Sequence, residues 1–152
     1  MTSINVWGPA TWNLFHTISI KIKDEHFINK RPLIIKIIKN IVFNLPCPDC
    51  KEHGIKIFRN ITYDNFKTKN DLINFLFNFH NLVNYNTRKN KSEFNILQKY
   101  KAMHLINVVN NFYIIFNKHH YNSNLLLMQF NKNNMMKEFK TDITELIKYC
   151  DV

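Results

Sequence analysis

The sequence predicts an all-α fold, a helical bundle with a helical C-terminal extension, and three observations predict it. Glycine occurs twice and proline four times in 152 residues, too few for turn-rich β architectures that need many positions at positive φ. Hydrophobic residues make up 45% of the chain and aromatics 14%, enough to collapse around a core. Apolar residues also recur at helical spacing in segment after segment. The length suits one domain, 1–152, and is short for two.

Each element has its own signal. Pro9, suited to a first helical turn, opens a helix that runs to about Ile22 and puts Trp12 and His16 on one face. The polar stretch Asp24 to Lys30 breaks the pattern. Pro32 then opens a segment whose Leu33, Ile34, Ile35, Ile37, Ile38, Ile41 and Val42 are apolar nearly all round, as expected of a central helix. Pro46 stops it, and Cys47 stands before Pro48 as a cysteine at the cap of the next helix, Pro48 to Arg59, which Gly54 weakens without ending. After a polar link, Asp71 caps an amphipathic helix to about Asn86, with Leu72, Phe75, Leu76, Phe79 and Val83 on its buried face and His80, Asn81 and Asn84 adjoining. Thr87 to Lys91 is a basic turn. Ser92-Glu93 opens a long helix toward Lys118, with Phe94, Leu97, Leu105, Val108, Phe112 and Ile115 inward. Short helices at Asn124 to Phe130 and Asp142 to Cys150, separated by the Asn/Lys stretch 131–134, complete the expectation.

Lys and Arg outnumber Asp and Glu by 21 to 11, a net charge of +10 that would attract any polyanion. Only three of those cations are Arg, and the Lys excess travels with heavy use of Asn and Ile, residues of A/T-rich codons. No basic stripe with interleaved aromatics supports nucleic-acid binding. No apolar stretch of about 20 residues suits a bilayer, and the N-terminus lacks signal-peptide regions, so the expectation is a chain with no membrane partner that is not secreted. Three cysteines do not make a disulfide scaffold; Cys47-Pro48-Asp49-Cys50 reads as one redox pair or half a zinc site, and Cys150 as a free terminal cysteine.

A CxxC pair on the first turn of a helix has a specific physical meaning. The spacing brings the sulfurs within disulfide reach, and the helix N-terminus stabilises a thiolate, most strongly on the leading cysteine. Cys47 is then the nucleophile that meets outside thiols, and Cys50 the shielded partner that hands electrons inward. The strand-turn-helix setting of thioredoxin is missing, since a helix precedes Cys47.

Trp7-Gly8-Pro9-x-x-Trp12-x-x-x-His16, then Leu45-Pro46-Cys47-x-x-Cys50-x-x-His53, then His80-Asn81-x-Val83-Asn84 followed by Lys89, together resemble the Erv/ALR family of FAD-linked sulfhydryl oxidases. The resemblance spans roughly residues 7 to 100, leaving about 101–152 as an extension, and is strongest to the short members of large DNA viruses. It implies a four-helix FAD-binding bundle with an additional short helix, and electron flow from a substrate dithiol to the Cys47–Cys50 disulfide, to FAD, and to molecular oxygen with release of hydrogen peroxide. It implies Cys50 as the flavin-side sulfur; Gly8, Thr11, Trp12 and His16 lining the flavin; and His80, Asn81, Val83, Asn84 and Lys89 holding the adenine and phosphates. Arg88 is a further phosphate candidate, and His53 suits either a surface role or contact near the flavin. No metal is implied. Partners would be protein thiols or a dithiol shuttle, and the oligomer a homodimer. A viral member would act in host cytoplasm, virus factory or virion.

Two departures stand out. Phe77 and Phe94 fall where many cellular members carry the cysteines of a structural disulfide, and a contact between the two rings would close the same loop. The second, mobile CxxC of cellular members has no counterpart, since only Cys150 remains. A flavin-free CxxC disulfide carrier and a basic helical binding or scaffold protein are the rival readings.

Overall fold

Gly8-Pro9 lies inside the first helix rather than at its start. Pro9 lacks the N–H that would bond the Asn5 carbonyl, which belongs to an exposed first turn, so the helix tolerates it and begins at Ile4. The computed structural model describes residues 3–118 and 126–152, and its elements are α1 Ile4–Lys21, α2 Asp24–Val42, α3 Pro48–Phe58, α4 Lys69–Asn86, α5 Leu97–Lys101, α6 Leu105–Lys118 and α7 Leu126–Ile147. No strand occurs among the described residues.

α1, not α2, is the central helix. It packs on α6, α4 and α5, and even Thr17 and Ser19 are buried in it. α2 keeps an exposed side, with Lys36 outward, and buries Ile34, Ile35, Ile37, Ile38, Ile41 and Val42. It also starts eight residues before Pro32. Phe27 is buried, Arg31 donates to the Phe66 carbonyl at 2.6 Å, and the Lys30 ammonium lies 3.9 Å from the Tyr149 ring centroid. These distant anchors hold a first half that is polar in sequence.

α3 packs on α2. Gly54 permits this, because a Cβ there would fall well inside van der Waals contact of Val42 Cγ1. α4 opens with a reciprocal cap: Asp71 Oδ2 accepts from the Thr68 N–H at 2.8 Å, and Thr68 Oγ1 accepts from the Asp71 N–H at 3.2 Å. Thr68 is thus the capping residue and Asp71 its partner.

The long helix expected from Ser92 to Lys118 is three pieces: a 3₁₀ turn at Phe94–Ile96, then α5, then α6 after a break at 102–104. The break lets Tyr100 stack on His16, ring centroids 4.4 Å apart, while Leu105, Val108, Val109, Phe112 and Phe116 bury against the rest of the core.

The C-terminal region is one helix of 22 residues rather than two short ones, with residues 124 and 125 of the expected first helix outside those described. The stretch 131–134 does not interrupt it, because Lys132 turns inward and its ammonium donates to the Phe116 carbonyl at 3.0 Å, near the negative end of α6. α7 lies on α2 and α6, burying Met135, Met136, Phe139, Ile143 and Leu146. Lys36 pairs with Asp142 at 2.8 Å across the α2–α7 seam. The tail then returns to the α1–α2 junction, where Lys23 N–H donates to the Tyr149 carbonyl and Asp151 N–H to the Lys21 carbonyl. Cys150 is buried and free, and burial pushes its thiol pKa up to about 11, which disfavours the thiolate at neutral pH.

Candidate active site

The chain leaves α2 through buried Leu45 and Pro46, and Cys47 caps α3 with Pro48 as the first helical residue. Cys47 and Cys50 are joined as a disulfide, and the Cys50 N–H donates to Cys47 Sγ at 3.2 Å. The leading sulfur therefore lies at the positive end of α3, where a thiolate is stabilised. Among the described residues no cluster of three or more His, Cys, Asp or Glu could hold a metal ion.

Beside the disulfide is a cavity of about 390 Å³ between α1, α3, α4 and α5. Cys50 lines it and Cys47 does not. From α1 come Trp7, Gly8, Thr11, Trp12 and Phe15; from α3, His53, Gly54 and Ile57; from α4, Phe79, His80, Val83 and Asn84. Lys89, Lys99 and Tyr100 complete a rim that is basic as well as aromatic. Helical spacing explains the α1 set, since residues 8, 11, 12 and 15 follow i, i+3, i+4, i+7 and share one face.

The wall is a stack of flat rings. Trp12 and His80 lie 4.0 Å apart at 7°, His16 stands behind them, and Tyr100 stacks on His16. His16 Nε2 and His80 Nδ1 share a hydrogen bond of 2.9 Å. Burial, reinforced by His80, lowers the His16 pKa to about 3; burial, then the charges of Lys89 and Lys99, lowers His80 to about 4. Both rings are neutral at pH 7. Burial also raises the Tyr100 pKa, keeping the phenol protonated.

Nine of the twelve proposed cofactor positions meet at this cavity: Gly8, Thr11, Trp12, Cys50, His53, His80, Val83, Asn84 and Lys89. The other three stand apart from its lining. His16 is 1% exposed and stands behind the lining residues Trp12, His80 and Tyr100, with its hydrogen bond to His80. Asn81 clasps the loop instead, its amide donating to the Ser92 carbonyl at 3.2 Å and its Oδ1 accepting the Ser92 N–H at 2.8 Å. Arg88 is exposed with φ 57°, and this left-handed residue lets Lys89 N–H close on the Asn84 carbonyl at 2.8 Å. Sequence reasoning missed Phe15, Ile57, Phe79, Lys99 and Tyr100 as lining residues. Phe15 shares the Trp12 face and was findable by spacing; Lys99 and Tyr100 arrive only through the break after α5. Phe77 and Phe94 do meet, edge to face at 5.3 Å, although Phe94 stays 59% exposed.

An FAD-like group suits these residues. Gly8 offers a floor where a Cβ would meet only Ile4 Cγ1, at 3.8 Å, and would otherwise take cavity space. Flat rings stack on flat heterocycles, the buried Asn84 offers amide donors and acceptors, and the two lysines match a pyrophosphate.

Comparison with known proteins agrees with this geometry. An FAD-linked sulfhydryl oxidase by name, 096R of Invertebrate iridescent virus 3, is 29% identical over 101 residues, covering 64% of this chain and 67% of the relative. The similarly named 347L of Invertebrate iridescent virus 6 is 31% identical over 105 residues, 59% of this chain and 87% of that protein. No solved structure matches. The model of the Erv1/Alr family matches residues 9–104, from Pro9 on α1 through the CxxC and the Lys89 loop to the break between α5 and α6, and the chain belongs to that family.

Proposed function

We propose that the chain is an FAD-dependent thiol oxidase that forms disulfide bonds in other proteins. The observation that carries this reading is the placement of Cys50, one half of a helix-capping disulfide, in the wall of an aromatic cavity with a basic rim. When bound there, FAD would accept the electron pair from the reduced cysteine pair and pass it to molecular oxygen, releasing hydrogen peroxide.

The chain's own residues account for the thiol half of the reaction. A substrate thiolate attacks Cys47 Sγ, forming a mixed disulfide as the Cys47–Cys50 bond breaks and Cys50 leaves as a thiolate. The second substrate thiol, once deprotonated, then attacks its partner sulfur, releasing a substrate disulfide and Cys47 as a thiolate. Cys47 suits this role because it lies outside the cavity lining and the α3 terminus stabilises it as a leaving group. Cys50 faces the cavity. Trp12 and His80 would pack on the cofactor's rings, with Asn84, Lys89 and Lys99 toward its polar groups.

The substrates in this reading are protein dithiols or a dithiol shuttle, met in the host cytoplasm or virus factory, where reducing conditions keep thiols from pairing unaided, or in the virion. No helix among the described residues is long and apolar enough to cross a membrane. In this reading the active form is a homodimer. Residues 1–152 act as one domain.

The absorbance spectrum of the purified protein, followed by oxygen uptake with a dithiol, tests the reading. Bound yellow flavin and dithiol-dependent peroxide are expected. A colourless protein that exchanges disulfides without consuming oxygen would establish the flavin-free carrier instead.

A further inference from the structure

The His16–His80 bond couples two tautomers. With both rings neutral, the bond between His16 Nε2 and His80 Nδ1 holds one proton, so one nitrogen donates and the other accepts. Only two arrangements satisfy it. Either both histidines carry their proton on Nε2, with His16 donating, or both carry it on Nδ1, with His80 donating.

The surroundings separate the two. His16 Nδ1 is buried with no hydrogen-bond partner among the described residues. The second arrangement would strand an N–H donor at that position and would force both rings into the tautomer that neutral histidine disfavours in water. The first leaves only a lone pair unmatched and places both rings in the preferred form. Orphaned buried N–H groups are the rarer case in folded proteins. One force opposes it, since Lys89 and Lys99 face His80 and disfavour an N–H directed toward them; solvent and an anionic ligand both screen that effect.

We propose that His16 is a positioning residue that fixes His80 as the Nε2–H tautomer, so that His80 offers the cavity a hydrogen-bond donor rather than an acceptor. The group recognised is an acceptor atom of the bound nucleotide, a ring nitrogen, a carbonyl or a phosphate oxygen, and this part rests on the FAD reading above. His80 lines the cavity, and its Nε2 has no protein partner among the described residues. Stacking at 4.0 Å and 7° on Trp12 holds the ring plane while His16 holds its rotation. His16 itself touches no ligand: its ring is enclosed by Trp12, His80 and Tyr100.

Long-range proton–nitrogen NMR correlation on purified, histidine-labelled protein at neutral pH reads both tautomers directly. Protonated Nε2 and pyridine-type Nδ1 on both rings is the expected pattern; a proton on His80 Nδ1 would overturn the proposal. In His16→Leu the Nδ1 of His80 loses its donor, so His80 should become a tautomer mixture and FAD should bind about tenfold more weakly, the worth of one hydrogen bond. His16→Gln, whose amide can donate to the same nitrogen, should recover most of that loss. Unaltered His80 tautomer and FAD affinity in His16→Leu would refute the positioning role. Flavin-free wild-type protein with both rings Nε2–H would sink the FAD reading and uphold the tautomer, whereas flavin-loaded protein with His80 Nδ1–H would do the reverse.

Discussion

At the scale of single residues, the two sulfurs are chemically alike but differently placed, and their removal should show it. Cys47→Ser leaves the Cys50 thiol at the cavity wall, where its thiolate should perturb the visible spectrum of bound flavin; Cys50→Ser should not produce that signature, and both should lose dithiol oxidation. Comparable activity in either variant would reject the pair as the redox centre. Lys89→Ala removes a cation from the cavity rim and should weaken FAD retention by about 1.5 to 3 kcal/mol, less where Lys99 substitutes, as equilibrium dialysis would measure. The two neutral histidines add a pH dependence. Their folded pKa values, about 3 and about 4, lie below the ordinary 6.5, so the unfolded chain binds more protons at mildly acid pH. Their contribution to stability is complete above about 6.5 and is lost as pH falls, through about 4 for His80 and about 3 for His16. The urea midpoint of the flavin-free protein should therefore drop between pH 7 and pH 5, above the carboxylate range, and a flat midpoint there would contradict the buried neutral pair. The cysteine motif and nine of the cavity-lining residues were legible because their types and spacings carry chemistry. His16 was legible as a site residue but not as one standing behind His80, because a helical spacing gives a face and not a depth.

At the scale of elements, α3 depends on a missing side chain. Alanine in place of glycine normally favours a helix by roughly 1 kcal/mol, yet at Gly54 the new Cβ would strike Val42, a stiff β-branched residue that is 1% exposed. Gly54→Ala should destabilise the protein by about 1 to 3 kcal/mol, as overpacking does, and tilt α3 with its cysteines. In a Val42→Ala background the same change should be neutral or stabilising, so a double-mutant cycle by thermal melting decides whether this contact is the cause. The sequence showed glycine as a weak point in α3; the close approach to α2 that requires it is tertiary. The same limit governs the other boundaries. Asp24 to Lys30 lacks an apolar stripe, and its helix is held by Phe66 and Tyr149 from far along the chain. The break at 102–104 carries no proline or glycine to mark it. Periodicity sufficed for α4, whose buried face is marked by Leu72, Leu76 and Phe79, and Pro48 behind the Cys47 cap sufficed for the start of α3.

At the scale of the whole molecule, the question is whether the region beyond the family match is an appendage or part of the body that forms the site. α7 contributes five buried apolar side chains, Met135, Met136, Phe139, Ile143 and Leu146, each worth roughly 1.5 to 3 kcal/mol when fully buried. It also covers apolar surface of α2 and α6, including Phe112, which packs on Phe139 at 5.0 Å. Its Lys132 supplies a cation to the end of α6, and its tail fastens the α1–α2 junction. α1 packs on α6, so exposing the outer side of α6 would weaken the support of α1, and α1 carries the floor of the cavity. A domain of this size is stable by only about 5 to 15 kcal/mol, so opening to water the apolar surface of α2 and α6 that α7 covers is enough to threaten the fold. A chain ending at Lys118 should therefore fail to fold stably, showing no cooperative melt and no retained flavin, although it keeps every residue of the family match at 9–104. A Lys132→Met variant separates the helix from its cation: it should still fold, less stably by about 1 to 2 kcal/mol, because the packing remains while the Phe116 carbonyl loses its donor. A truncated chain that melts cooperatively near the intact protein's temperature and holds FAD would make α7 a separate attachment instead.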